Sequence, residues 1–147
     1  MFNYEIDPVW DKDKERIIGS EADSFDINAK IDGSLPYDWW YLKKYNEVIG
    51  YGWLNVNEDD VEISISISKE HRNKGLGTKT LHHLEQQILS RNLPKNIVVT
   101  VYGTNIHRFK VAKMLKSNGY RTCKFPIKDA AEILKRGEDV TFFKTLK

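Results

Sequence analysis

The run VEISISIS, Val61 to Ser68, admits few conformations. Val61, Ile63, Ile65 and Ile67 alternate strictly with Glu62, Ser64, Ser66 and Ser68. Successive side chains of a strand point to opposite faces, so this period of two predicts a strand with one apolar and one polar face. What precedes it fits the same sheet. DWWYLKKYN (Asp38–Asn46) is rich in aromatic residues and EVIGYGWLNV (Glu47–Val56) in apolar ones, with a turn expected at Asn46-Glu47. NEDD then supplies a second turn, with Glu58-Asp59-Asp60 simply part of it. Three strands in series predict an antiparallel meander.

Beyond the strand the period changes. From about Leu76 to Ser90, Leu81, Leu84 and Ile88 recur at helical spacing, and Asn92 and Pro94 end the pattern. Ile97–Tyr102 reads as a strand apolar enough to be central. A second helix is expected from about Ile106 to Asn118, carrying Val111, Met114 and Leu115, with Gly119 placed as its left-handed cap. RTCKF predicts a short strand, DAAEILKRG a short helix or loop, and DVTFFKTL a last strand. Near the start, Asp13 to Ala22 reads as a short helix, and DINAKIDGSLP as a loop with a turn at Asp32-Gly33. The order predicts an α/β (α+β) domain with a mixed central sheet flanked by helices.

A length of 147 residues bounds the chain to one domain, 1–147. The formal net charge is +2 and acidic residues are spread throughout, which argues against a nucleic-acid partner. Cys123 is the one cysteine, so no internal disulfide forms; that suits a reducing compartment. No apolar run reaches membrane-spanning length, and MFNYEIDPVWDKDKER lacks the order of a signal peptide. A cytoplasmic location with no membrane partner is the expectation.

The stretch HRNKGLGTKT, from His71, carries the chemistry. Backbone N–H groups at a helix start have no intrahelical partner, and the helix dipole places partial positive charge there. Gly75 and Gly77 let a bulky anion approach that backbone, while Arg72 and Lys74 add full charges. The combination suits a phosphate or pyrophosphate. The P-loop pattern is absent, and Thr80 stands where a dinucleotide fingerprint needs its third glycine. What remains is R-x-x-G-x-G, Arg72 to Gly77.

With its flanking elements, this motif resembles the GNAT superfamily of acyl-CoA-dependent N-acetyltransferases. The resemblance runs from about Asp38 to Tyr120. It rests on the hairpin ending in ISISIS, the R-x-x-G-x-G turn with its helix, the strand IVVTVY, and the helix ending Ser117-Asn118-Gly119-Tyr120. It implies an acyl-CoA-binding core over 38–120 and a variable acceptor-side region over 1–36. It implies acetyl-CoA as co-substrate, with no metal, and direct attack of a primary amine on the thioester. Ile65, Ser66 and Ile67 would hold the pantetheine arm through their backbone, and an N–H near Ile67 would polarise the carbonyl. The loop amides of Arg72, Asn73, Lys74, Gly75, Leu76, Gly77 and Thr78 would hold the pyrophosphate. Asn105 and Arg108 are further candidates for cofactor contact; Arg108 stands where many members have asparagine.

Leu115 occupies the position at which many members carry a tyrosine as general acid. Tyr102, His107, Tyr120 or water are the alternatives. Glu62 is the candidate base, on the polar strand face with Ser64 and Ser66. The alternative is that this face is simply solvated or packs polar against the N-terminal helices. His82-His83 diverge on a helix and cannot chelate one metal. Cys123 reads as a packed thiol, Lys43-Lys44 as a solvated strand end, and Trp39, Trp40 and Trp53 as strand and core residues. One of Trp39 and Trp40 would face away from the core, where it could line an acceptor pocket. The acceptor would be a small-molecule amine or an amine on a protein, and a homodimer is a possible assembly. The competing function is a non-catalytic acyl-CoA-binding regulatory module.

Overall fold

The computed structural model describes residues 2–7, 11–17 and 38–147. Their strands form one six-stranded sheet in sequence order: β1 (Phe2–Ile6), β2 (Asp38–Lys44), β3 (Glu47–Val56), β4 (Val61–Ile67), β5 (Asn96–Val101) and β6 (Val140–Thr145). All neighbours are antiparallel except β4 and β5. The helices are α1 (Lys12–Ile17), α2 (Leu76–Ser90), α3 (Arg108–Ser117) and α4 (Ala130–Lys135). The mixed sheet, the meander β2–β3–β4 and both long helices match the sequence reading.

Alternation in the strands gives the sheet two covered faces. On one, Val61, Ile63, Ile97, Val99 and Val101 pack with Leu81, Leu84 and Ile88 of α2, Leu115 of α3 and Leu134 of α4. Trp40 joins this core. On the other face, Trp39 packs with Tyr51, Trp53 and Ile17. Trp39 and Trp53 stack at 4.1 Å and 13°. Trp39 and Trp40 therefore point to opposite sides, as neighbours on a strand must, yet both are buried. The second face has its own aromatic core under α1, and Trp39 is wholly buried in it.

The helix ends follow local chemistry. Gly119 is left-handed at φ 87°, and after it the Tyr120 N–H donates to the Leu115 carbonyl at 3.0 Å. That is the bonding of a Schellman cap. It also aims Tyr120 inward. The Tyr120 hydroxyl donates to Glu85 Oε2 at 2.9 Å, and Lys144 Nζ donates to the same oxygen at 2.9 Å. Lys144 also reaches the Asn118 carbonyl at 2.8 Å, so α2, α3 and β6 meet at one carboxylate. Burial, then the Glu85 charge and hydrogen bond, raise the Tyr120 phenol well above its ordinary range.

Two expectations are corrected. RTCKF forms no strand: Arg121 makes an isolated bridge to Phe143, the Thr122 hydroxyl folds back onto the Phe125 carbonyl at 2.6 Å, and Pro126 leads into a 3-10 turn. Cys123, on that irregular segment, is exposed rather than packed. The helix expected over Asp13–Ala22 is α1, Lys12–Ile17; residues 18–22, and the loop expected before Pro36, lie outside the described residues. β1 was not anticipated; it adds the outer strand, with Tyr4 opposite Leu42.

Two outcomes are expected. Glu85→Ala removes the acceptor of one buried and one half-buried donor and should lower unfolding free energy by about 3 kcal/mol; Tyr120→Phe should cost about 1 kcal/mol in urea denaturation. Equal, small losses would show that the carboxylate organises nothing. His83 stacks on Tyr4 at 4.0 Å and 9°, and its buried Nε2 has no hydrogen-bond partner. Burial, helped by Lys79, lowers its pKa. The unfolded chain then binds the proton more readily, so this contribution to stability is complete above the ordinary histidine range and is lost as pH falls through it. Urea midpoints measured at about pH 7.5 and about pH 5.5 should fall further for the parent than for His83→Phe, which keeps the stack without the titration. Parallel losses would contradict this.

Candidate active site

β4 and β5 are joined at only two positions, Val61 with Ile97 and Glu62 with Val98. Beyond them the strands part. β4 continues to Ile67 along β3, and β5 continues to Val101 along β6. The wedge between them is a cleft of about 320 Å³, large enough for a small-molecule arm. Its apolar floor is made by Leu81, Val111, Met114 and Leu115 from α2 and α3.

The free lip of β4 has a definite backbone pattern. The Ser68 N–H donates to the Ile49 carbonyl at 2.8 Å, and the register continues through Ser66 with Tyr51 and Ser64 with Trp53. In an antiparallel ladder such bonded pairs alternate. The serines and Glu62 therefore spend their backbone groups on β3. Ile63, Ile65 and Ile67 turn theirs toward the wedge. The Ile67 carbonyl there accepts from Arg72 Nε at 3.1 Å. Ser66 is 4% exposed, lines the cleft, and its Oγ has no hydrogen-bond partner. A buried orphan hydroxyl in a cleft wall fits a polar ligand.

At the mouth, α2 begins without protection. Gly75 is its N-cap at φ 76°, no side chain caps it, and no acidic residue lies in its first turn. The first helical bond is Lys79 N–H to the Gly75 carbonyl, 3.1 Å, so the N–H groups of Leu76, Gly77 and Thr78 have no intrahelical partner. A Cβ built on Gly75 would meet nothing within 4 Å, so the surface above these amides is open. Gly77 is different: a Cβ there would lie 3.1 Å from Met114 Sδ, so its smallness lets α2 approach α3.

Cations gather at this mouth. Arg72, Asn73 and Lys110 line it, with Lys110 Nζ 3.1 Å from Asn73 Oδ1. Arg72 NH1 lies 2.6 Å from His107 Nε2, linking the loop after β4 to the start of α3. Asn105 also lines the cleft, and its Oδ1 accepts from the His107 N–H at 2.8 Å. At the other end, Glu62 stands at the fork where the strands separate, opposite Asn55 on β3. Trp53, Ser64, Thr100 and Tyr102 line the cleft around it.

The structure thus brings together Glu62, Ile65, Ser66, Ile67, Arg72, Asn73, Gly75, Leu76, Gly77, Thr78 and Asn105. It places two candidates apart. Lys74 is exposed and does not line the cleft. Arg108 donates through Nε to the Leu134 carbonyl at 2.8 Å and through NH1 to the Asn105 carbonyl at 3.2 Å. It satisfies the carbonyl end of α4, where a cation is favoured, and so ties α4 to α3. Leu115 is part of the floor, and Tyr120 is committed to Glu85; of the alternative acids, Tyr102 and His107 line the cleft. Lys110 and Asn55 were missed, and His71, which precedes the loop, also lines the cleft. Helical spacing from Val111 and Met114 would have placed His107 and Lys110 on the neighbouring face.

A mixed sheet split between two parallel strands, with an uncapped glycine-led helix at the split, defines an acyl-CoA-binding fold. The chain belongs to the acetyltransferase (GNAT) family, whose defining pattern matches residues 6–115. It is an acetyl-CoA-dependent N-acetyltransferase. Solved structures share the fold. A Klebsiella pneumoniae protein described as an acyl-CoA N-acyltransferase aligns with TM-score 0.74 at 21% identity, over 100% of this chain and 99% of that one. A Bacillus subtilis acetyltransferase in complex with CoA aligns with TM-score 0.73 at 15% identity, over 100% of both chains. An IAA acetyltransferase from Bacillus cereus gives TM-score 0.69 at 16% identity, over 99% and 100%. A search of curated sequences found no match. No helix among the described residues is long and apolar enough to cross a membrane, and no group of three or more His, Cys, Asp or Glu there could hold a metal.

Gly75→Ala puts a Cβ on a left-handed residue. It should cost about 1 kcal/mol of stability in urea denaturation without preventing folding. No loss would mean that the loop relaxes out of the left-handed turn.

Proposed function

We propose that the loop 72–78 holds the pyrophosphate of acetyl-CoA, that the cleft-facing backbone of Ile65 and the N–H of Ile67 guide its pantetheine arm, and that Glu62 receives the proton of the acceptor amine. Acetyl-CoA supplies an acetyl group activated as a thioester. The observation that carries this reading is the single cleft: an uncapped helix start and two cations at one end, a carboxylate at the fork at the other, and an unsatisfied strand edge between them. The amides of Leu76, Gly77 and Thr78 offer preorganised donors to an anion, and Arg72 and Lys110 offer charge. The N–H of Ile67 is the donor for the carbonyl oxygen under attack. The core 38–120 carries these functions, and the region 1–36 serves the acceptor side. The exposed, unpaired Cys123 fits a reducing compartment such as the cytoplasm.

Glu62→Gln should lower kcat by about 100-fold while leaving the KM for acetyl-CoA nearly unchanged, measured as acceptor-dependent thiol release. An unchanged kcat would remove Glu62 from proton transfer. Arg72→Ala and Lys110→Ala should each weaken acetyl-CoA binding by about tenfold and reduce its sensitivity to salt. Titration calorimetry at two ionic strengths measures both. Unchanged affinity in both variants would contradict the pyrophosphate assignment.

A further inference from the structure

The mouth of the wedge is crossed by one of its own side chains. Arg72, in the loop after β4, donates through Nε to the Ile67 carbonyl at 3.1 Å, and its NH1 lies 2.6 Å from His107 Nε2. Ile67 is the last residue of β4, and His107 is the N-cap of α3. One anchor thus belongs to the β4 lip and the other to the segment that leads from β5 into α3. An arginine carries only donors, so His107 presents Nε2 to it as a bare acceptor. One turn along α3 a second rung repeats the arrangement: Lys110 Nζ lies 3.1 Å from Oδ1 of Asn73, the next residue of the loop. Asn73 is left-handed at φ 64°, a conformation that asparagine adopts more readily than most residues. Ile67, Arg72, Asn73, His107 and Lys110 all line the cleft.

Resting on the acetyl-CoA reading of the cleft, we propose that Arg72 bars the path of the pantetheine arm and that the pyrophosphate of the same ligand draws the bar aside. The specificity that results is for a ligand carrying an anion and an amide arm together, and His107 acts in it through Arg72, as a positioning residue. A side chain anchored at both Ile67 and His107 lies across the route from the mouth to the fork. It also holds the Ile67 carbonyl, an acceptor that an extended arm with amide groups would use. Acetyl-CoA brings what the exchange requires. Its phosphate oxygens accept charge-assisted bonds from the guanidinium, and an amide N–H of its arm takes over the carbonyl. One satisfied set of bonds replaces another, and no buried group is left without a partner. An arm without phosphates has nothing to hold the arginine away. Its apparent affinity is lowered by the fraction of molecules in which the bar is open.

The test compares acetyl-CoA with S-acetylpantetheine, the same thioester arm without phosphates, on the full chain. Calorimetry follows acetyl-CoA, and NMR titration follows the weaker arm. Arg72→Ala should move the two ligands in opposite directions: acetyl-CoA about tenfold weaker, S-acetylpantetheine about fivefold tighter. His107→Leu loosens the bar but keeps the guanidinium, so it should tighten both ligands by about threefold. His107→Gln keeps an acceptor for Arg72 and should stay near the parent. S-acetylpantetheine bound no better by Arg72→Ala than by the parent would overturn the proposal, since nothing would then bar the arm. So would a shift of both ligands in one direction in Arg72→Ala, or weaker acetyl-CoA binding by His107→Leu, since His107 would then serve the phosphate. Tightening by His107→Gln equal to that by His107→Leu would also overturn it, because the bond to Arg72 would not be the cause. If the parent binds no acetyl-CoA, the underlying reading of the cleft fails, and this one with it.

Discussion

Two residue pairs, Val61 with Ile97 and Glu62 with Val98, hold β4 and β5 together, and the chain depends on the pairing stopping there. A sheet interior normally satisfies every backbone N–H and carbonyl. Here the far half of β4 keeps its ladder to β3 and leaves its other edge open. The gap survives because both lips are anchored independently. β3 restrains β4, β6 restrains β5 over six pairs, and α2 and α3 floor the wedge with Leu81, Met114 and Leu115. An open edge inside a domain is an unsatisfied surface, so it is also a binding surface for an extended ligand with amide groups of its own.

The two cores set this geometry from either side. The aliphatic core beneath α2 and α3 fixes the height of the helix start that faces the cleft mouth. Glu85 gathers Tyr120 and Lys144, so the orientation of α2 is tied to the C-terminal strand as well as to its own apolar stripe. On the opposite face, Trp39, Tyr51 and Trp53 stiffen β2 and β3 behind the fork. Glu62 thus sits between a rigid aromatic wall and the point where the strands separate. A site built on strands and helix ends holds its groups more tightly than one built on loops alone.

Much of this was legible in the sequence wherever the signal was local. The alternation of VEISISIS, the helical stripe of Leu81, Leu84 and Ile88, and the glycines of R-x-x-G-x-G each encode an element within one or two turns of chain. Non-local features were not legible. β1 exists because Phe2–Ile6 finds β2, and no short-range pattern says where a strand will pair. The length of the β4–β5 pairing has no sequence signature at all. Arg108 was a candidate for cofactor contact because it stands where many family members have asparagine, but the Leu134 carbonyl that claims it comes from a helix 26 residues away. RTCKF has the composition of a strand; the turn at Thr122 and the helix beyond Pro126 draw it off the sheet. The polar ladder of Glu62, Ser64 and Ser66, which composition alone would leave to solvent, proved to be a cleft wall with Ser66 buried.

The account stands most directly on where acetyl-CoA touches the backbone. Amide hydrogen exchange, followed residue by residue by NMR with and without saturating acetyl-CoA, reads this without any substitution. The amides of Ile65, Ile67 and Leu76 to Thr78 should slow markedly on binding, while those of β1 and β6 stay as they were. Slowing confined to other elements, or binding that leaves the open edge of β4 and the start of α2 exchanging as before, would contradict the claim that the parted strands and the uncapped helix form one ligand site.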